Sequence, residues 1–133
     1  MKINREVVYN KCNGRCAYCE EPLKFENMEV DHIFPKHLKH FLKSAKMREL
    51  YKLSFTDIND PENLLPSCKP CNIHKRGIPT LEEWRNELQR QVLLLMKNPQ
   101  FNRALRYGQI QLTPKPIEFH FEKLNEQKKC KSI

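Results

Sequence analysis

Two cysteine pairs, Cys16-Ala17-Tyr18-Cys19 and Cys68-Lys69-Pro70-Cys71, are the residues of this chain best suited to chemistry. Each pair sets two thiolates in one tight turn, the spacing from which tetrahedral zinc sites are assembled. Two such pairs make a closed site with no position left for a reactant. Cys16, Cys19, Cys68 and Cys71 are therefore expected to hold a structural zinc. Residues 20–67 lie between the pairs, more than a simple zinc finger carries, so the fold itself has to join the two knuckles. Cys12 and Cys130 have no partner at knuckle spacing and are read as thiols outside the site.

Between the knuckles stands Asp31-His32-Ile33-Phe34-Pro35. Neighbours on a strand face opposite ways, so Asp31 can hold a hard cation while His32 is left to take a proton from water. Phosphodiester hydrolysis needs both roles at one place. An Asp-His dipeptide on its own is ordinary strand-end polarity, and its position between the knuckles is what gives it weight.

The order Cys-x-x-Cys, Asp-His-Ile-x-Pro, Asn63-Leu64, then Cys-x-x-Cys-Asn-x-x-Lys resembles the HNH, or ββα-metal, endonuclease family over residues 13–77. The resemblance implies His32 as general base and Asp31 and Asn72 as ligands of a catalytic magnesium or manganese ion. It also implies Asn63 as the brace of the active-site loop, and products with 5′-phosphate and 3′-hydroxyl ends. Many members carry histidine where this chain has Asn72, and His74 follows two positions later. With about 3.6 residues per turn the two side chains would diverge by about 200°, so His74 is an alternative ligand and not a second one. Arg15, Lys75 and Arg76 flank these positions and are candidates for phosphate contacts, which set register without reading bases.

These residues have to be placed by an α+β fold, a ββα-metal core stapled by the four-cysteine zinc site with flanking helices and a late C-terminal strand. The expectation is one nuclease domain over residues 1–126 with a basic tail at 127–133. A short helix from Ile3 to Cys12 ends at Asn13-Gly14. The alternation Leu23, Phe25, Met28, Val30 leads to a strand closing on Asp31-His32-Ile33. Residues 36–55 form an inserted basic segment of one or two helices, with Leu38, Phe41, Leu42, Ala45, Leu50 and Leu53 inward and His37 and His40 at the surface. Asn72 to Arg76 is a short helix, and the extension over 80–122 opens with the capping box Thr80-Leu81-Glu82-Glu83. Its stripe Leu81, Trp84, Leu88, Val92 and Leu95 reads as core, Asn98-Pro99 stops it, and Pro99 to Tyr107 forms one more helix. Ile117, Phe119 and Phe121, alternating with Glu118, His120 and Glu122, read as the late strand.

The 24 basic against 16 acidic residues give a formal charge of +8, which favours a polyanionic partner. DNA is the expected substrate, and RNA fits the same charge. The opening MKINREVVYN lacks the apolar run of a secretory signal and no stretch is long enough to span a membrane, so the chain is expected in the cytoplasm, where paired cysteines bind metal instead of forming disulfides. One such site cuts one strand, so double-strand cleavage would call for a homodimer, a larger assembly or repeated nicking. Two rivals remain. A non-catalytic zinc-ribbon module binding nucleic acid would explain the cysteines and the charge, but not the ordered Asp31, His32, Asn63 and Asn72. A thiol-redox enzyme needs a βαβ context that residues 15–21 lack.

Overall fold

The computed structural model describes residues 1–131, and side chains as far as Gln127. They form two compact units, one running from Met1 to Leu81 and resuming at Glu118, the other spanning Glu82–Ile117. The side chain of Cys130 lies outside the described residues.

In the first unit Asn4 caps helix α1 (Arg5–Asn10), its side chain accepting from the Val7 amide at 3.2 Å. The chain then reverses through Asn13 (φ 56°) and Gly14 (φ 76°). At Gly14 a Cβ would stand 2.9 Å from the Tyr9 hydroxyl, so both the turn and the close approach call for glycine. Val8 on α1 packs with Met28 and Leu64 in one small core.

Strand β1 (Glu29–His32) pairs antiparallel with β2 (Leu64–Ser67), with Asp31 opposite Leu65 and His32 opposite Leu64. Helix α3 (Lys69–Lys75) follows β2 directly, with Cys68 as its N-cap. The order is thus strand, strand, helix within a mixed α+β structure.

The connection from β1 to β2 carries the basic segment. It is built as a 3-10 helix at Lys36–Lys43 and helix α2 (Ala45–Leu50), with Ser44 between them capping α2 through Met47 N at 3.3 Å. Phe34, Leu42 and Phe55 form a second core beneath it, joined by Leu38, Phe41, Tyr51 and Leu53. Burying each of the large side chains contributes on the order of 1.5–3 kcal/mol, enough to hold this segment as structure.

The expected late strand is not a strand. Residues 111–119 have no regular structure, and helix α7 (His120–Lys131) begins where the alternation suggested extended chain. The amides that a sheet would have used go to the first knuckle instead, His120 N to Tyr18 O at 3.2 Å and Phe121 N to Ala17 O at 2.8 Å. Glu122 reaches back to the Phe119 amide at 3.0 Å, the return half of a capping box, and starts the helix. Phe119 and Phe121 both pack on Tyr18, with ring centroids 5.2 and 6.1 Å away, so the period of two reflects one aromatic clasp. The helix also covers residues 127–131, which had been expected to be frayed tail.

The second unit comprises most of α4 (Leu81–Gln89), with α5 (Gln91–Leu95), α6 (Pro99–Arg106) and an extended return to Ile117. Asn98 caps α6 through Gln100 N at 2.8 Å, and Arg85 holds the return at Ile117 O, 3.0 Å away. The expected continuous apolar stripe is broken. Trp84 is fully buried, but Val92 and Leu95 are 39% and 49% exposed. The reason is Arg90, which ends α4 with its amide shared between Asn86 O and Glu87 O, so the residues beyond it leave the α4 register.

A four-cysteine centre beside a buried Asp-His pair

The first knuckle is a tight turn, closed by Cys16 N to Glu21 O at 2.8 Å and Glu20 N to Cys16 O at 3.1 Å, with Glu20 at φ 72°. Ala17 N donates to Pro66 O at 2.8 Å, tying this turn to β2 two residues before Cys68. Proline suits that place because its own missing N–H is not needed and its carbonyl is the group used. The sheet thereby brings the knuckles together.

The sulfurs of Cys16, Cys19, Cys68 and Cys71 all lie within 4.8 Å of one another, and those of Cys19 and Cys68 are 3.7 Å apart. Zinc–sulfur bonds of about 2.3 Å in a tetrahedron give edges of about 3.8 Å, so the four atoms fit a metal ion. A hydrogen bond from the Cys71 thiol lowers the Cys16 pKa to about 4, and the same bond raises that of Cys71. Burial raises Cys19 to about 11. Four thiols crowded this closely share little negative charge until a cation replaces their protons. Cys12 is buried apart from this cluster.

Asp31 and His32 end β1 and are 4% and 9% exposed. The Tyr18 hydroxyl donates to Asp31 Oδ2. The Lys75 ammonium, fully buried at the end of α3, stands 3.2 Å from Asp31 Oδ2 and 3.4 Å from Oδ1. It also donates to His32 O at 3.0 Å and Ile33 O at 3.3 Å. Burial raises the Asp31 pKa while the Lys75 charge draws it back down. Burial beside the Asp31 charge raises Tyr18 well above its ordinary value.

This corrects one expectation. Lys75 is not a surface cation waiting for phosphate, because its charge is spent inside the protein on Asp31 and two carbonyls. It also bears on the expected ion. The Asp31 carboxylate takes an ammonium and a phenol, chiefly on Oδ2, so its charge is met within the protein, and Oδ1 is the oxygen with a lone pair to spare. To hold a divalent cation Asp31 would use Oδ1 or give up its pair with Lys75. Asn72, half-buried on α3, has no side-chain hydrogen bond among the described residues, and His74 is half-buried on the same helix.

His32 is held differently. Its Nε2 lies 2.8 Å from Asn59 Oδ1, and the Asn59 amide is oriented by its own Nδ2 donating to Met1 O at 3.1 Å. An amide oxygen only accepts, so the proton sits on Nε2 and Nδ1 keeps its lone pair. Burial lowers the His32 pKa, Asn59 opposes this, and the nearby Lys36 charge lowers it further. Burial thus favours the neutral imidazole, with Nδ1 as its basic nitrogen.

Asn63 is fully buried and does bridge the loop. Its Oδ1 accepts from Phe34 N at 2.7 Å, and its Nδ2 donates to Phe34 O at 3.1 Å and Ile58 O at 2.9 Å. Its own carbonyl accepts from Ile33 N at 2.9 Å, so one residue fixes the backbone just after His32 and just before Asn59. Arg15 is exposed and bonded to Glu20 O at 3.2 Å, and Arg76 is exposed at φ 51°. Tyr18 and Asn59 belong to the site without having been singled out from the sequence. The signal for Asn59 was the Asp57-x-Asn59 loop, where Asn59 N bonds Asp57 Oδ1 at 2.8 Å and fixes the turn.

Comparison with family models, curated proteins and solved structures returns no match to this chain.

Proposed function

We propose that this protein is an endonuclease that hydrolyses DNA phosphodiester bonds, with His32 as the general base and a structural zinc on Cys16, Cys19, Cys68 and Cys71. The observation that carries this reading is the contact that holds His32, with Nε2 2.8 Å from Asn59 Oδ1, an arrangement that leaves Nδ1 as the basic nitrogen of a ring whose burial favours the neutral form. A general base needs that combination of fixed orientation, correct tautomer and neutrality near pH 7.

In the proposed step Nδ1 takes a proton from water as the oxygen attacks phosphorus, and the bond from phosphorus to the 3′ oxygen breaks, that oxygen taking a proton from solvent. Lys36, close enough to oppose protonation of His32, is the side chain to offset charge on the phosphate. Asn63 and Asn59 keep the base in place. Magnesium or manganese is what the family resemblance calls for. Because Asp31 as arranged is committed to Lys75 and Tyr18, no step is assigned to an ion on it.

The zinc-stapled binding module is the second reading, favoured by the neutralised Asp31 alone. The two part in one experiment. Zinc-loaded protein is incubated with supercoiled plasmid with magnesium, with manganese and with neither, alongside His32→Ala. Nicking by the wild type and none by the variant supports the nuclease. Plasmid bound but intact in every condition supports the module.

A further inference from the structure

Beyond Lys36, the basic segment has an arrangement that the hydrolytic step does not use. Residues 32–48 contain no Asp or Glu but do contain Lys36, Lys39, Lys43, Lys46 and Arg48. In the 3-10 helix Lys36–Lys43, residues three apart lie in one row. The row Leu38–Phe41 goes inward, where Phe41 stacks on Tyr51 at 6.2 Å and packs with Leu42 against the second core. Of the other two rows, Lys36 and Lys39 are exposed while Leu42, the next in their row, is buried, and His37, His40 and Lys43 are exposed throughout. Among the described residues no carboxylate pairs with Lys36, Lys39 or Lys43.

This cationic edge is anchored beside the candidate site. Lys36 acts on the charge of His32. The His37 ring lies on Gly77, just past α3, where a Cβ would stand 2.5 Å from His37 Cε1. A row repeat of about 6 Å, from a rise of about 2.0 Å per residue, is comparable to the spacing of neighbouring phosphates along one strand. Its outward side chains are lysines and histidines, with His40 resting edge-on against Phe41, which matches a phosphate backbone better than the apolar centre of a protein interface.

We propose that Lys36–Lys43 is a docking edge for the DNA backbone, with Lys36, Lys39 and Lys43 contacting phosphates on the strand that leads to His32. The choice of DNA as occupant rests on the nuclease reading.

The test is fluorescence anisotropy of a labelled duplex titrated with the zinc-loaded full chain over a range of salt, without added magnesium. Each phosphate contact contributes about 0.9 to the slope of log affinity against log salt, so Lys39→Gln/Lys43→Gln should flatten the slope by about 1.8. Lys24→Gln/Lys123→Gln, two exposed lysines elsewhere, should leave it unchanged. An unchanged slope in the first variant, or equal flattening in both, overturns the proposal. So does binding to a polyglutamate peptide that depends on Lys39 and Lys43 while duplex binding does not, which assigns the edge to an acidic protein. The nuclease reading fails separately. Wild type that binds through these lysines without nicking plasmid sinks the hydrolase and keeps the docking edge. Wild type that nicks with an unaltered slope in the variant does the reverse.

Discussion

Replacing Lys75 by methionine keeps most of the side-chain volume and removes the charge, which isolates what the ammonium does inside the protein. Asp31 would lose the cation 3.2 Å away and keep only the Tyr18 hydroxyl, while His32 O and Ile33 O would each lose a donor. Breaking a buried ion pair from one side costs about 3–5 kcal/mol, because the remaining charge is left uncompensated. Domains are stable by about 5–15 kcal/mol, so a large fraction of the whole is at stake. For a chain of this size 1 kcal/mol moves the midpoint by about 3–4 °C, and Lys75→Met should melt about 10–15 °C lower. Asp31→Asn/Lys75→Met, which removes both charges, should recover much of the loss, leaving a coupling energy in the double-mutant cycle. Urea unfolding of the zinc-loaded proteins reads all four corners. A Lys75→Met variant within about 1 kcal/mol of wild type, or no recovery in the double variant, would refute the claim that Lys75 serves Asp31.

Asn59→Ala should lower kcat by about three- to tenfold with little change in KM, the scale of one lost hydrogen bond, and Asn59→Asp should recover part of it by keeping an acceptor for Nε2. Long-range ¹⁵N spectra of His32 should change tautomer population in the alanine variant only. Because burial lowers the His32 pKa, the neutral base persists to more acid pH, so the acid limb of the pH–rate profile should fall below pH 6.5. A limb at or above pH 7 would take His32 out of the role. Cys19→Ser, or a strong chelator, should release one zinc per chain by elemental analysis and lose cooperative unfolding, since structural zinc contributes folding free energy directly.

What could be read from the sequence was whatever local spacing encodes. The two Cys-x-x-Cys turns, the strand ending at His32 and the helices at Pro99 and after Cys68 all rest on contacts near in the chain or on strong cap and turn chemistry, whereas the brace at Asn63, which reaches Phe34 across the fold, came from the family resemblance. What could not be read was decided by packing across the fold. A lysine at the end of a short helix reads as solvated, and only the approach of α3 to β1 buries Lys75 against Asp31. The Ile117-x-Phe119-x-Phe121 alternation has the period of a strand, but no sheet edge meets it and Tyr18 does. The apolar stripe after Trp84 looked continuous because Arg90 carries no breaker signature. Asn59 sat in a loop whose composition marked a turn and not a partner for His32.

The central claim is that His32 is the base of a phosphodiester hydrolysis, and the ends of the products test it most directly. Plasmid incubated with zinc-loaded wild type or His32→Ala is treated with DNA ligase after the protein is removed. Nicks made by the wild type should reseal without phosphatase or kinase treatment, showing 5′-phosphate and 3′-hydroxyl ends, and the folded variant should make none. Equal nicking by His32→Ala, or nicks that ligase cannot close, would contradict the account.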